Sequence, residues 1–114
     1  MKISVYHNPR CRKSRAGLDL VKAKSDQVEI IDYLNSGISA ACIKKIVQQL
    51  NVPIIDIVRT QEDYYKKELK GKNFSGEEWA QIISENPKLL KRPIVVKGNK
   101  AAIVESVDDL QRLF

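Results

Sequence analysis

Two β-prone runs near the start of the chain, Ile3-Ser4-Val5-Tyr6 and then Val28, Ile30 and Ile31, lie just far enough apart to be joined by one helix. Asn8-Pro9 stops the first run, Leu18 and Val21 then recur at helical spacing up to about Lys24, and Asn35-Ser36-Gly37 closes the second run. This order reads as strand, tight turn, helix, strand. The far end has a different grammar. Arg92-Pro93 introduces Ile94-Val95-Val96, Gly98-Asn99 turns the chain into Ala101-Ala102-Ile103-Val104, and Ser106-Val107-Asp108-Asp109 caps a last helix carrying Leu110, Leu113 and Phe114.

Between these ends the pattern is mostly helical. Ser39 is an N-cap for a helix whose Ile43, Ile46, Val47 and Leu50 share one face, and Asn51 with Pro53 ends it. Ile54, Ile55, Ile57 and Val58 lead into Arg59-Thr60, and a polar stretch runs through Lys72. Ser75-Gly76-Glu77-Glu78 has the form of a capping box opening a helix lined by Trp79, Ile82 and Ile83, which Asn86-Pro87 breaks. A βαβ half, an insertion of helices and a ββα half are the plan of an α/β, thioredoxin-like fold, with a mixed four-stranded sheet. With 114 residues, 43% of them hydrophobic, the chain is long enough for one core, so residues 1–114 are expected to form a single domain.

Composition narrows the function. The first residues run from Met1 to Tyr6 and meet polar His7-Asn8-Pro9 at once, leaving no apolar stretch for a signal peptide or a membrane span. A cytoplasmic protein with no membrane partner is the expectation. Two cysteines in unlike surroundings do not make a disulfide framework, and one histidine without a Cys-x-x-Cys pair does not make a zinc site. No metal or bound cofactor is expected. The net charge of +6 favours an anionic partner, but the basic residues are not interleaved with aromatics, so nucleic acid is not the expected ligand.

The chemistry concentrates on Cys11. A thiol at the first turn of a helix faces free backbone N–H groups and the positive end of the helix dipole, both of which favour the thiolate. Arg10, Arg12, Lys13 and Arg15 crowd the same turn. A reactive nucleophile is therefore expected in preference to a cysteine buried for packing. Ser14 takes the place of the second sulfur in a Cys-x-x-Cys motif, so an external thiol would have to resolve any intermediate. Its hydroxyl has two alternative uses, bonding the sulfur or bonding backbone. His7 is placed to bond the loop or to set the thiolate's charge, while Cys42, beside Ala40 and Ala41, reads as packing. Arg59 and Arg92 are candidate oxyanion ligands through forked hydrogen bonds, joined by Arg15 from the loop. In a thioredoxin-like domain the proline after Arg92 would be cis and lie against the active cysteine, which would bring Arg92 to it.

With those residues in hand, nearly the whole chain resembles the glutaredoxin-coupled arsenate reductase family of the thioredoxin superfamily. Tyr6-His7-Asn8-Pro9-Arg10-Cys11-Arg12-Lys13-Ser14-Arg15 is similar to its nucleophile loop, Val58-Arg59-Thr60 to its first anion-binding arginine segment, and Lys91-Arg92-Pro93-Ile94-Val95-Val96 to its second. The resemblance implies that Cys11 attacks arsenate, that Arg59 and Arg92 hold the oxyanion, and that His7 and Ser14 tune the thiolate. It further implies glutathione as co-substrate and glutaredoxin as the partner that restores the enzyme as arsenite leaves.

Two features depart from that family. Glu105 stands in Ile103-Val104-Glu105-Ser106, where a third arginine is expected, so an anion replaces an oxyanion-binding cation. The mid-chain spacer Tyr64-Tyr65-Lys66-Lys67-Glu68-Leu69 also differs. From Ala102 to Phe114 the tail resembles the related Spx group, redox regulators that bind the RNA polymerase α subunit, although Ser14 removes the Cys-x-x-Cys switch those regulators carry. Arsenate-reductase-like thiol chemistry is the leading expectation. The alternatives are a monothiol oxidoreductase acting on another substrate and a regulator that binds polymerase.

Overall fold

A computed structural model describes residues 2–114, which divide into two compact units: residues 2–36 with 92–114, and residues 37–91. The first holds β1 (Ile3–Tyr6), α1 (Arg12–Lys24), β2 (Val28–Ile31), the single turn α2 (Tyr33–Ser36), β3 (Ile94–Lys97), β4 (Lys100–Ile103) and α5 (Val107–Gln111). The second holds α3 (Ala40–Leu50) and α4 (Gly76–Glu85), joined and followed by short irregular turns. The insertion expected between the two halves is this second unit.

The sheet order is β2-β1-β3-β4. β1 runs parallel to β2 in the register Val5↔Ile30 and antiparallel to β3 in the register Val5↔Val95, and β3 and β4 form a hairpin. The mixed four-stranded sheet of the thioredoxin-like plan is therefore present. Gly98 turns the hairpin at φ 62°, a conformation glycine adopts without a Cβ penalty.

Alternation along β1 sends Ile3 and Val5 to one face, where Leu18 and Val21 of α1, Val95, Ala102, Val104, Leu110 and Leu113 meet them in one apolar cluster. The buried face of α1 is Ser14, Gly17, Leu18 and Val21, the spacing that one side of a helix requires. A Cβ on Gly17 would collide with the Pro93 ring and come within 2.7 Å of the Val104 carbonyl oxygen. That absent side chain lets α1 approach the start of β3. Leu113 and Phe114, read in the sequence as part of the last helix, lie beyond it, since α5 ends at Gln111; Leu113 is buried, and Phe114 is 49% exposed with Lys97 Nζ 4.2 Å from its ring centroid.

In the second unit α3 packs on α4. Ser39 caps α3 by accepting from the Cys42 N–H at 3.1 Å, and Asn51 closes it in the left-handed conformation. Ser75 and Glu78 make the capping box of α4. Ile43, Ile46, Trp79, Ala80 and Ile83 are buried, and Phe74 meets Trp79 edge-on with ring centroids 5.0 Å apart. The polar spacer contains a π-type turn at Tyr65–Leu69 that buries Leu69.

Candidate functional site

The turn between β1 and α1 is built from backbone. Asn8 is buried and braces both sides of it: its carbonyl accepts from the Cys11 N–H at 3.0 Å and its side-chain Oδ1 accepts from the Arg10 N–H at 3.0 Å. Cys11 then takes the N-cap position of α1 in an extended conformation, and its carbonyl accepts from the Arg15 N–H at 3.0 Å. The thiol stands at the mouth of the first turn, half-buried, and neither Cys11 nor Cys42 forms a disulfide.

Burial pushes the Cys11 thiol up. The Ser14 backbone N–H, the Arg92 guanidinium by hydrogen bond and by charge, and the Lys13 backbone N–H outweigh that and hold it below its ordinary value. Arg92 precedes Pro93 through a cis peptide bond and belongs to the same unit as Cys11. The cations of the loop behave differently. Arg10, Arg12, Lys13 and Arg15 are all exposed, and Arg15 Nη1 donates to the Pro9 carbonyl at 2.9 Å, bracing the turn.

Ser14 is fully buried. Its Oγ accepts from the Asn8 N–H at 2.9 Å and lies 2.8 Å from His7 Nδ1, while its backbone N–H favours the Cys11 thiolate. Hydroxyl and amide of one residue thus serve two masters. His7 is also buried, and burial lowers its imidazole below the ordinary value. Asp32 and a backbone hydrogen bond with Ser14 work against that lowering, whereas Lys22 and Arg15 add to it.

Arg59 lies in the second unit. Its Nη1 donates to Glu62 Oε2 at 2.6 Å, both side chains being mostly buried, and the Gln61 amide oxygen, with the amide turned towards it, accepts from Nε at 3.3 Å and Nη2 at 3.1 Å. Glu105 is exposed, and its N–H donates to Asp109 Oδ2 at 2.9 Å. The structure gathers Cys11, Ser14, His7 and Arg92 within one unit. Sequence reasoning passed over Asn8, Gly17 and Asp32 as contributors, although Asn before Pro already marks a turn whose side chain bonds its own backbone. Among the described residues no group of His, Cys, Asp and Glu is placed to hold a metal ion, and no helix is long and apolar enough to cross a membrane.

A thioredoxin-like sheet that presents one acidified cysteine at the end of β1, with a guanidinium bonded to it, defines a thiol-chemistry site of a particular class. Over residues 6–113 the sequence matches the ArsC family, and the chain belongs to that family. It is 36% identical over 105 residues to an arsenate reductase of Haemophilus influenzae, covering 90% of each protein. It is 38% identical over 104 residues to "Uncharacterized protein YfgD" of Escherichia coli K12, covering 90% of this chain and 87% of that one. An arsenate reductase structure from Vibrio cholerae superposes with a TM-score of 0.92 at 30% identity, covering 100% of this chain and 98% of that one. The chain is accordingly an ArsC-like thiol oxidoreductase.

Proposed function

We propose that this protein reduces arsenate or a closely related oxyanion, with Cys11 as nucleophile and glutathione and glutaredoxin as the source of reducing thiols. The observation that carries the reading is the Cys11 sulfur held below its ordinary pKa by two backbone N–H groups and Arg92, in a chain of the ArsC family. The Cys11 thiolate attacks arsenic, forming an S–As bond as one oxygen leaves as water. Glutathione displaces a second oxygen to give a mixed thiol adduct. A glutaredoxin thiolate then attacks the glutathione sulfur, and the S–As electron pair stays on arsenic. The two external thiols thereby give two electrons to arsenic and become a glutathione–glutaredoxin disulfide, and water then cleaves the remaining bond between Cys11 sulfur and arsenic, putting a hydroxyl on the arsenite that leaves and returning Cys11 as a thiolate. Arg92 offers a guanidinium to the oxyanion, the resemblance gives Arg59 the same role, and Arg15 is a further candidate cation from the loop. Ser14 and His7 support the loop that carries the thiolate. The compartment proposed is the cytoplasm, where glutathione is reduced.

Arsenate reduction with glutathione and glutaredoxin tests this directly. Turnover by the native chain and none by Cys11→Ser is expected, with a lower KM in Glu105→Arg. Turnover that survives in Cys11→Ser would refute the scheme. A second reading, a monothiol oxidoreductase acting on another substrate, is favoured by the Arg59–Glu62 ion pair, which offsets one cation a dianionic substrate would use. Native turnover of glutathionylated peptide but not of arsenate, in the same assay, would select it.

A further inference from the structure

His7 is 6% exposed and is the chain's one histidine, so its charge state is constrained by burial and can be measured without ambiguity. The parallel ladder of β1 and β2 ends at Tyr6↔Ile31, and the His7 N–H extends it by donating to the Ile31 carbonyl at 2.9 Å. That register sets Asp32 beside His7 at one end of the sheet. One carboxylate oxygen of Asp32, Oδ2, accepts from Asn35 Nδ2 at 2.7 Å. The other, Oδ1, is buried without a hydrogen-bond partner among the described residues. A buried carboxylate oxygen lacking a donor is costly, and such a group calls for a role.

The neighbouring imidazole offers one, and since no hydrogen bond from the described residues reaches Oδ1 the carboxylate acts on the ring through its charge. Its Nδ1 is taken by Ser14, 2.8 Å away, so Nε2 is the nitrogen left to face other groups. Ser14 Oγ already accepts from the Asn8 N–H, and a serine hydroxyl has one proton to give.

We propose that Asp32 is a positioning residue whose carboxylate keeps the proton of neutral His7 on Nε2, so that Nδ1 accepts from the Ser14 hydroxyl and Ser14 is locked in the first turn of α1, where its backbone N–H favours the Cys11 thiolate. Asp32 stands at the junction of β2 and α2. Facing His7 from α1 are Ser14, Arg15 and Lys22, and of the charged groups around the ring Asp32 alone opposes burial while Lys22 and Arg15 reinforce it. The link to catalysis rests on the reading of Cys11 as a thiolate nucleophile. The link to His7 does not.

Nitrogen NMR of the imidazole reads this without substrate. In the native protein the neutral ring is expected as the Nε2–H tautomer. Asp32→Asn lowers the His7 titration midpoint by about half a pH unit or more, since a stabilising negative charge is lost. Asn35→Ala, which removes the partner of Oδ2 but keeps the charge, leaves the midpoint in place. The pH profile of Cys11 alkylation shifts in Asp32→Asn and does not shift when the same change is made in a His7→Gln background. An Nδ1–H tautomer in the native protein overturns the proposal whether or not the variant folds. A midpoint unmoved by Asp32→Asn, or an equal alkylation shift without His7, also overturns it. Failure of arsenate turnover with these imidazole results intact would count against the substrate and not against Asp32.

Discussion

Cys11 and Cys42 are both half-buried, and both stand in or at the first turn of a helix, α1 and α3. The difference lies in which atom occupies the cap. On α3 the hydroxyl oxygen of Ser39 accepts the Cys42 N–H, as an ordinary N-cap does, and the cysteine is one residue of the turn. On α1 the cap residue is Cys11 itself, whose side chain makes no cap hydrogen bond, and the Ser14 N–H, Arg92 and the Lys13 N–H favour its thiolate. Proximity to a helix N-terminus is common to both cysteines. What counts is whether the cysteine itself stands at the cap position with a guanidinium beside its sulfur.

The largest expected consequence is selective chemistry. Alkylation at neutral pH, followed by peptide mass mapping, modifies Cys11 at least about tenfold faster than Cys42, as a thiolate outpaces a thiol. Cys42→Ser leaves the labelling rate unchanged and Cys11→Ser abolishes the fast phase. Equal rates at the two sites would break the comparison.

Next in size is Gly17→Ala. Its Cβ meets the Pro93 ring and the Val104 carbonyl, backbone and ring atoms that cannot swing aside, and overpacking of this kind costs about 1–3 kcal/mol. Urea unfolding checks the cost. A slower Cys11 alkylation rate in the same variant would show that the approach of α1 to Pro93 also holds Arg92 on the sulfur.

Ser14→Ala leaves the Asn8 N–H and His7 Nδ1 buried without their shared partner, a loss of about 1–3 kcal/mol, yet it keeps the backbone N–H that favours the Cys11 thiolate. It is predicted to lower stability more than Cys11 acidity. Ser39→Ala, the matching change on α3, costs about 1 kcal/mol and leaves Cys11 labelling untouched. Together the two serines separate a cap that supports a helix from one that supports a thiolate.

How much of this was legible depended on range. The caps at Ser39, Ser75 and Ser106 could be read because a cap is decided within four residues, and the strand order followed from runs bounded by Asn, Gly and Pro. Cys11 stood out for the same local reason. Asp32 did not, since its place beside His7 depends on the β1–β2 register across about 25 residues of chain. Gly17 reads in sequence as a weak helix residue, and its use appears only when Pro93 arrives from the other end of the chain. The π-type turn at Tyr65–Leu69 leaves no periodic trace in a run of charged residues. Apolar spacing does not say where a short helix stops, so Leu113 and Phe114 read as helical although α5 ends at Gln111.

The central claim also has a pH signature. Because the folded-state value of Cys11 lies below the unfolded one, its thiolate contributes stability that is fully present above the unfolded thiol value and is lost as pH falls through the folded value. His7 acts on the acid side. Its folded value lies below the unfolded one, so the native state is penalised as pH falls through that interval and carries no such penalty above it.

The most direct test is the pH dependence of Cys11 alkylation in the native protein and in Arg92→Met. The inflection is predicted below the ordinary thiol range in the native chain and displaced upward, by about one unit, when the guanidinium is removed. A native inflection at or above that range, or one that does not move when Arg92 is lost, would contradict the account.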